Sequence, residues 1–295
     1  MSDVAVVGAG AQGNVICGVL AGAPEVGRIL LVDLDPDRAA EVARFVDSAK
    51  IEVRRADASD RAELVGLFSQ GRYDLVVNAT LPAFNRQVIE AALEVGSDYL
   101  DMASNEMLEE RDGTRVLVEQ LEYAGRFEDR GLTAIILAGG DAGLVNVMAR
   151  EAADELDEVD SIRIRDYGVT ECDEPVAGWS FPTYMEDCAA EAVYWEDGEY
   201  KWVPPFSGEE DYHFPPPLDV TGTVFFHCHE EPVTIPAFLG KPVRYVDFKM
   251  GDPGSAMWRF LIEGLGLMDE TPVGGEDCGL SVKDVFCAQL PKTLT

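Results

Sequence analysis

The chain has 295 residues, 47% of them hydrophobic, which is enough apolar mass for a buried core and two domains of ordinary size and excludes a mainly disordered protein. Its formal charge of −32 repels nucleic acid and anionic membrane, so neither is expected as a partner and a neutral or cationic small molecule is. No apolar run approaches the roughly 18 residues of a membrane span, and Met1-Ser2-Asp3 leads into a strand without a basic leader, so a cytoplasmic protein is expected.

From residue 3 to residue 138, apolar runs alternate with segments of helical period. VAVVG reads as a strand, 11–22 as a helix, RILLVD as a strand, 36–47 as a helix, IEVRR as a strand and 60–70 as a helix. DLVVNA, 83–95, DYLDM, 114–130 and TAIILA continue the alternation. The repeat predicts an α/β unit with a parallel Rossmann sheet and right-handed crossovers over residues 1–140. After a helix near 143–156 the pattern changes to the strand-like runs SIRIRDYGV, EAVYW, TVFFHCH and VRYVDFKM, set among Pro-rich loops at Trp202–Pro205 and Phe214–Pro217. Residues 141–295 are therefore expected to form an α+β substrate domain on a mostly antiparallel sheet. The six cysteines show no CxxC pair, a pattern of reduced thiols and not of a disulfide framework or a CxxC zinc site.

Gly8-Ala9-Gly10-Ala11-Gln12-Gly13 follows the first strand and opens the first helix, the context that GxGxxG requires. Gly8 permits the tight turn, Gly10 lets backbone approach a diphosphate, and Gly13 allows helix and strand to pack closely. Asp33 ends the second strand about 20 residues past the last glycine, where a carboxylate accepts both ribose hydroxyls and repels a 2′-phosphate. This predicts NAD in preference to NADP; a cap on the next helix is the other reading of Asp33, and Arg38 lies five residues on. Asp57, after the third strand, is placed to meet the adenine edge or to make a turn. Asn78, Ala79, Thr80 and Leu81 close the fourth strand, and with Met102 in the Asp101–Ala103 loop they are expected to line the nicotinamide groove, since ligands lie beyond the carboxyl ends of parallel strands.

The blocks Gly8–Gly13, Asp74–Thr80 and Asp141-Ala142-Gly143-Leu144-Val145-Asn146-Val147-Met148-Ala149 resemble the saccharopine dehydrogenase family in its glutamate-forming branch, which also holds lysine 6-dehydrogenase and carboxynorspermidine dehydrogenase. Trp179-Ser180, the Asp197-Gly198 turn and His229-Glu230-Glu231-Pro232 are similar to that family's substrate domain. The family usually carries Pro where this chain has Ala142, and its members continue for roughly another hundred residues past a helix like the one starting at Ser281. An incomplete second domain is therefore expected. The resemblance implies an NAD-dependent oxidoreductase acting on a C–N bond of an amino acid or opine-like compound, and a homodimer. It leaves room for reductive joining of an aldehyde to a cationic amine, and for a catalytically inactive NAD-binding sensor or assembly protein.

Oxidising a C–N bond requires a base for the amine proton. Among three histidines in the chain, His227 and His229 stand together in His227-Cys228-His229-Glu230-Glu231. Read as a strand, the segment places both histidines on one face. His229 is the leading candidate base, with Glu230 or Glu231 orienting it or holding a substrate ammonium, and His227 beside the substrate. Plain packing histidines and a metal site built from both histidines and a carboxylate remain open, although no partner ligand is evident for the second and no metal is expected. Asp141 and Asn146 sit at the turn into the helix near 143, where amides could hold a substrate carboxylate or Asp141 could cap the helix. Trp179 and Ser180 are candidates for the pocket wall.

Overall fold

The computed structural model describes residues 1–111, 113–170, 173, 180–274 and 279–289. The described chain divides into two compact units, one over Met1–Val145 and one that starts at Asn146. Among the described residues no helix is long and apolar enough to cross a membrane.

The first unit alternates β1 Ser2–Val7, α1 Ala11–Gly22, β2 Val26–Asp33, α2 Pro36–Val46, β3 Ile51–Arg55, α3 Arg61–Gly71, β4 Leu75–Asn78, α4 Asn85–Val95 and β5 Asp98–Leu100. A hairpin of β6 Met107–Arg111 and β7 Thr114–Val118 follows, then a 3-10 turn, α5 Ala124–Asp129 and β8 Ala134–Ile135. The sheet order is β3-β2-β1-β4-β5-β8, all parallel, with the crevice between β1 and β4 where the order reverses. The strands read as unbroken apolar runs because both faces are covered. Val4 and Val6 join Ile29, Leu31, Cys17 and Val42 in one core, while Ala5 and Val7 join Leu30, Val32, Leu64, Phe68 and Ile89 in the other. Local signals end the helices: Asp35 caps α2 ahead of Pro36, Asp60 caps α3, and Gly96 closes α4 in the left-handed region. The helix expected over 114–130 is in fact β7, the 3-10 turn and α5. Its apolar spacing is compatible with either form, and pairing with β6 captures Thr114–Val118 as a strand.

The second unit contains α6 Leu144–Asp154, β9 Val159–Tyr167, α7 Phe181–Ala189, β10 Ala192–Glu196, β11 Glu199–Val203, β12 Glu210–Phe214, β13 Val220–Phe226, α8 Glu231–Phe238, β14 Val243–Gly251, α9 Ser255–Arg259 and α10 Val282–Cys287. Its sheet runs β11-β10-β14-β13-β12 in antiparallel pairs, with β9 added parallel to β14. The mostly antiparallel α+β expectation is met, and β11 and β12 are additions to it. Charge on β9 is satisfied inside the sheet. Arg165, its side chain 5% exposed, donates to both carboxylate oxygens of Asp247 and to Glu210, and Lys249 completes the network on Glu210.

Candidate active site

At the end of β1 the chain turns through Gly8 at φ 107°, backbone that favours glycine. A Cβ on Gly8 would lie 2.5 Å from the carbonyl oxygen of Ala79, and one on Gly13 would lie 1.9 Å from that of Gly8. Packing within the chain therefore demands both glycines. Gly10 differs: it has an ordinary φ of −77° at the N-cap of α1, no side chain caps that helix, and a Cβ there would meet nothing within 4 Å. Open space at Gly10 lies against the first-turn amides of α1, with Ala11 half-buried and Gln12 exposed. A diphosphate fits such a cradle, because uncapped amides and the positive end of the helix face it.

Asp33 is held beside this loop. Its Oδ2 accepts the Ala9 amide at 2.7 Å and its Oδ1 accepts the Asp35 amide at 2.8 Å. Capping of α2 belongs to Asp35, which accepts from Asp37 and Arg38, so Asp33 keeps further lone pairs for sugar hydroxyls. Asp57 makes a turn: its carboxylate accepts the Ser59 amide and hydroxyl, which hold it below the usual carboxylate range.

Beyond β4, Asn78 is buried and braces the loop. Its Oδ1 accepts the Thr80 amide and hydroxyl at 3.1 and 2.6 Å, and its Nδ2 donates to Asn85 at 2.9 Å and Tyr99 at 3.4 Å. The Asn78 side chain thus shapes the groove-lining loop from beneath, while Thr80 is half-buried and Leu81 exposed at its surface. Asn85 passes the network to buried Glu119, and Gln120 donates to buried Asp101 next to half-buried Met102. Burial raises the Asp101 carboxyl to about 6.

Asp141 is half-buried in the Gly139–Gly143 loop. The turn works differently from expectation. Leu144 begins α6, which puts the cap position at Gly143, and the amides of Leu144 and Val145 donate to the carbonyls of Gly139 and Gly140. Those two amides are spent on closing the loop and do not await a substrate carboxylate. Asn146 donates to Thr234 at 2.9 Å. Ser180 caps α7, accepting from the Thr183 amide and hydroxyl, and its neighbour Trp179 lies outside the described residues.

The segment 227–231 is not a strand. β13 ends at Phe226, residues 227–230 form the bend and Glu231 opens α8, because the strand register with β14 stops at Phe226 and Pro232 suits a helix's first turn. His227 is buried, with Nε2 3.7 Å from Cys188 Sγ, and burial with the neighbouring His229 charge pushes it down to about 3. It packs as a neutral residue among Tyr184 and Cys188 of α7. His229 behaves oppositely. Burial opposes its charge, but Glu231, whose Oε2 lies 2.6 Å from His229 Nδ1, and Glu230, at 3.5 Å, overcome that and raise it to about 9. Of the two carboxylates, the fully buried Glu231 is the orienting one. The ligand atoms of His229, Glu230 and Glu231 lie within 4.8 Å of one another. His229 Nδ1 and Glu231 Oε2, 2.6 Å apart, stand at hydrogen-bond distance.

Two carboxylates distant in sequence complete this surround. Asp166 on β9 and Asp187 on α7 are both raised by burial, Asp187 to about 7, and both interact with His229. Among the described residues, no lysine or arginine contributes to the shifts of Asp166, Asp187 or His229. Phe248 of β14 lies flat against the His229 ring, centroids 4.1 Å apart and planes 14° apart. Nothing local in the sequence marks Asp166, Asp187 or Phe248; only sheet pairing brings β9 and β14 beside the bend.

Residues 4–135 match the saccharopine dehydrogenase NADP-binding domain. Over these residues the chain is similar to the saccharopine dehydrogenase family. Curated relatives include the carboxynorspermidine synthase of Vibrio alginolyticus, 31% identical over 76% of this chain and 54% of that protein, and that of Vibrio cholerae, 30% identical over 83% and 59%. The carboxyaminopropylagmatine dehydrogenase of Synechocystis is 27% identical over 77% of this chain and 57% of that protein. The apo structure of saccharopine dehydrogenase (L-Glu forming) from Saccharomyces cerevisiae superposes with a TM-score of 0.68 at 15% identity, covering 91% of this chain and 59% of that one, and shows the shared fold. The chain thus spans little more than half the length of the curated relatives it matches.

Proposed function

We propose that the protein is an NAD-dependent oxidoreductase that makes or breaks a C–N bond of an amino acid or carboxyl-bearing amine, with residues 1–140 holding the cofactor and 141–295 serving substrate and dimer contacts. The observation that carries this reading is the open cradle at Gly10 beside the doubly anchored Asp33 carboxylate. A bound nicotinamide would supply or accept the hydride. The family's domain is described by NADP, whereas a fixed carboxylate at the tip of β2 favours the free sugar hydroxyls of NAD.

In the second unit, His229 is the group with a proton to exchange at the substrate nitrogen. Paired to Glu231, it is charged at neutral pH and gives a proton in the reductive direction, taking one back in the oxidative direction. Carboxylates at Asp166, Asp187 and Glu230 attract a cationic amine. Two observations favour reductive joining of a carbonyl compound to an amine over oxidation of a free amino acid. The surround is acidic, and the relatives are named for carboxynorspermidine and carboxyaminopropylagmatine. The test is titration of the purified protein with NADH and NADPH, followed by assays with NADH, a carboxyl-bearing aldehyde and a panel of diamines. NADH consumption dependent on both partners supports the reading. Tight NADH binding without turnover on any amine or amino acid replaces it with a sensor, and light scattering tests the homodimer.

A further inference from the structure

We propose that Phe248 is a positioning residue that, with Glu231, clamps His229 as an imidazolium of fixed orientation, so that the second unit presents one oriented proton donor. Phe248 and Glu231 are both fully buried, whereas the His229 side chain is 17% exposed. In the imidazolium, Nδ1–H donates to Glu231 Oε2 at 2.6 Å and thereby sets the ring's rotation. Phe248 sets its plane: the rings are parallel within 14° at 4.1 Å, inside the range where an aromatic face attracts a cation. Nδ1 being committed, the proton left to exchange is on Nε2. The neighbouring histidine provides an internal contrast. His227 meets the same phenyl ring at 87° and 6.4 Å, has no carboxylate partner among the described residues, and packs beside Cys188 and Tyr184. One aromatic ring therefore touches two histidines of opposite charge state, and the stacked one is the charged one.

The titratable groups around His229 are Asp166 from β9, Asp187 from α7, Glu230 from the bend, Glu231 at the start of α8, and His227 just past β13, while β14 brings the apolar Phe248. Carboxylates alone would hold a charge without fixing the ring. A flat apolar wall excludes water from one side of the imidazolium and restricts rotation of the His229 ring, because Phe248 is itself held in a strand paired along both edges, with β9 on one and with β10 and β13 on the other.

The role in turnover rests on the proposed function, but the clamp can be read without it. Three histidines make the proton and nitrogen NMR spectrum assignable through single His→Gln variants, with His213, exposed on β12, as reference. The His229 midpoint is expected near 9 in the intact chain. It should fall by roughly one to three pH units in Glu231→Gln and by about one pH unit in Phe248→Leu. Pentafluorophenylalanine placed at 248 keeps the ring's shape and reverses the charge of its face, so it should lower the midpoint even if the leucine variant folds poorly. An unmoved His229 midpoint in folded pentafluoro protein overturns the clamp. If the midpoint moves but the alkaline limb of the pH–activity profile does not follow, the clamp stands and His229 leaves the reaction.

Discussion

Replacing Gly10 by alanine separates the cofactor's needs from those of the fold. The φ of −77° and ψ of −167° at Gly10 suit alanine, and its Cβ would meet nothing within 4 Å. Loss of glycine's tolerance as a helix cap and the smaller entropy of the unfolded chain nearly offset, so stability should change by no more than about 1 kcal/mol. A diphosphate approaching α1 is another matter. The added methyl would hold it about 1 Å off and weaken two charge-assisted amide bonds, a loss of about 3 kcal/mol or roughly 100-fold in Kd. Gly13→Ala provides the contrast. Its Cβ would stand 1.9 Å from the Gly8 carbonyl, and Gly8 cannot yield because it is itself closed against Ala79 and its amide is bonded to Val32 at 2.7 Å. There α1 must recede, costing about 1–3 kcal/mol of stability as well as affinity. NADH fluorescence titration and urea unfolding of the two variants read both quantities. Binding of NADH to a folded Gly10→Ala protein within threefold of the parent would refute the placement of the diphosphate at this helix.

Asp33→Ser removes the charge near the sugar while retaining an acceptor, and should raise the NADPH-to-NADH affinity ratio about tenfold, read by the same titration. Because His229 is raised from 6.5 to about 9, its contribution to stability is full below pH 6.5 and is lost as pH rises through 9; it amounts to about 3 kcal/mol. His227 acts at the other end: lowered to about 3, it withdraws stability as pH falls below 6.5 toward that value. Urea midpoints across pH should therefore decline on both sides, and Glu231→Gln should flatten the alkaline side alone. Arg165→Met strands the Asp247 carboxylate, 2% exposed, and should destabilise by about 3–5 kcal/mol, with partial recovery on adding Asp247→Asn in calorimetry. Asn78→Ala should cost about 1–3 kcal/mol through Asn85 and Thr80, measured by urea unfolding.

Local chemistry explains which parts of the molecule could be read in advance. Apolar runs such as Val4–Val7 and Leu30–Val32 can satisfy two helical layers only as central parallel strands, and the glycine spacing after β1 states a turn and a close approach in six consecutive residues. Residues 114–130 misled because an apolar spacing that serves a helix also serves a strand once a hairpin partner exists. His227 and His229 misled for a related reason. Strand alternation stops at Phe226, where pairing with β14 ends and the chain bends into α8.

What the sequence determined by itself is the Rossmann unit, its glycine loop and the carboxylate at the tip of β2, since each depends on residues within about one turn or one strand of one another. Tertiary structure alone decided that one histidine is neutral and the next one charged. That difference comes from Glu231, two residues along, which reaches His229 and not His227, and from the burial and the Asp187 carboxylate that a remote helix brings to the bend; the charge of a buried group is set by what surrounds it in space.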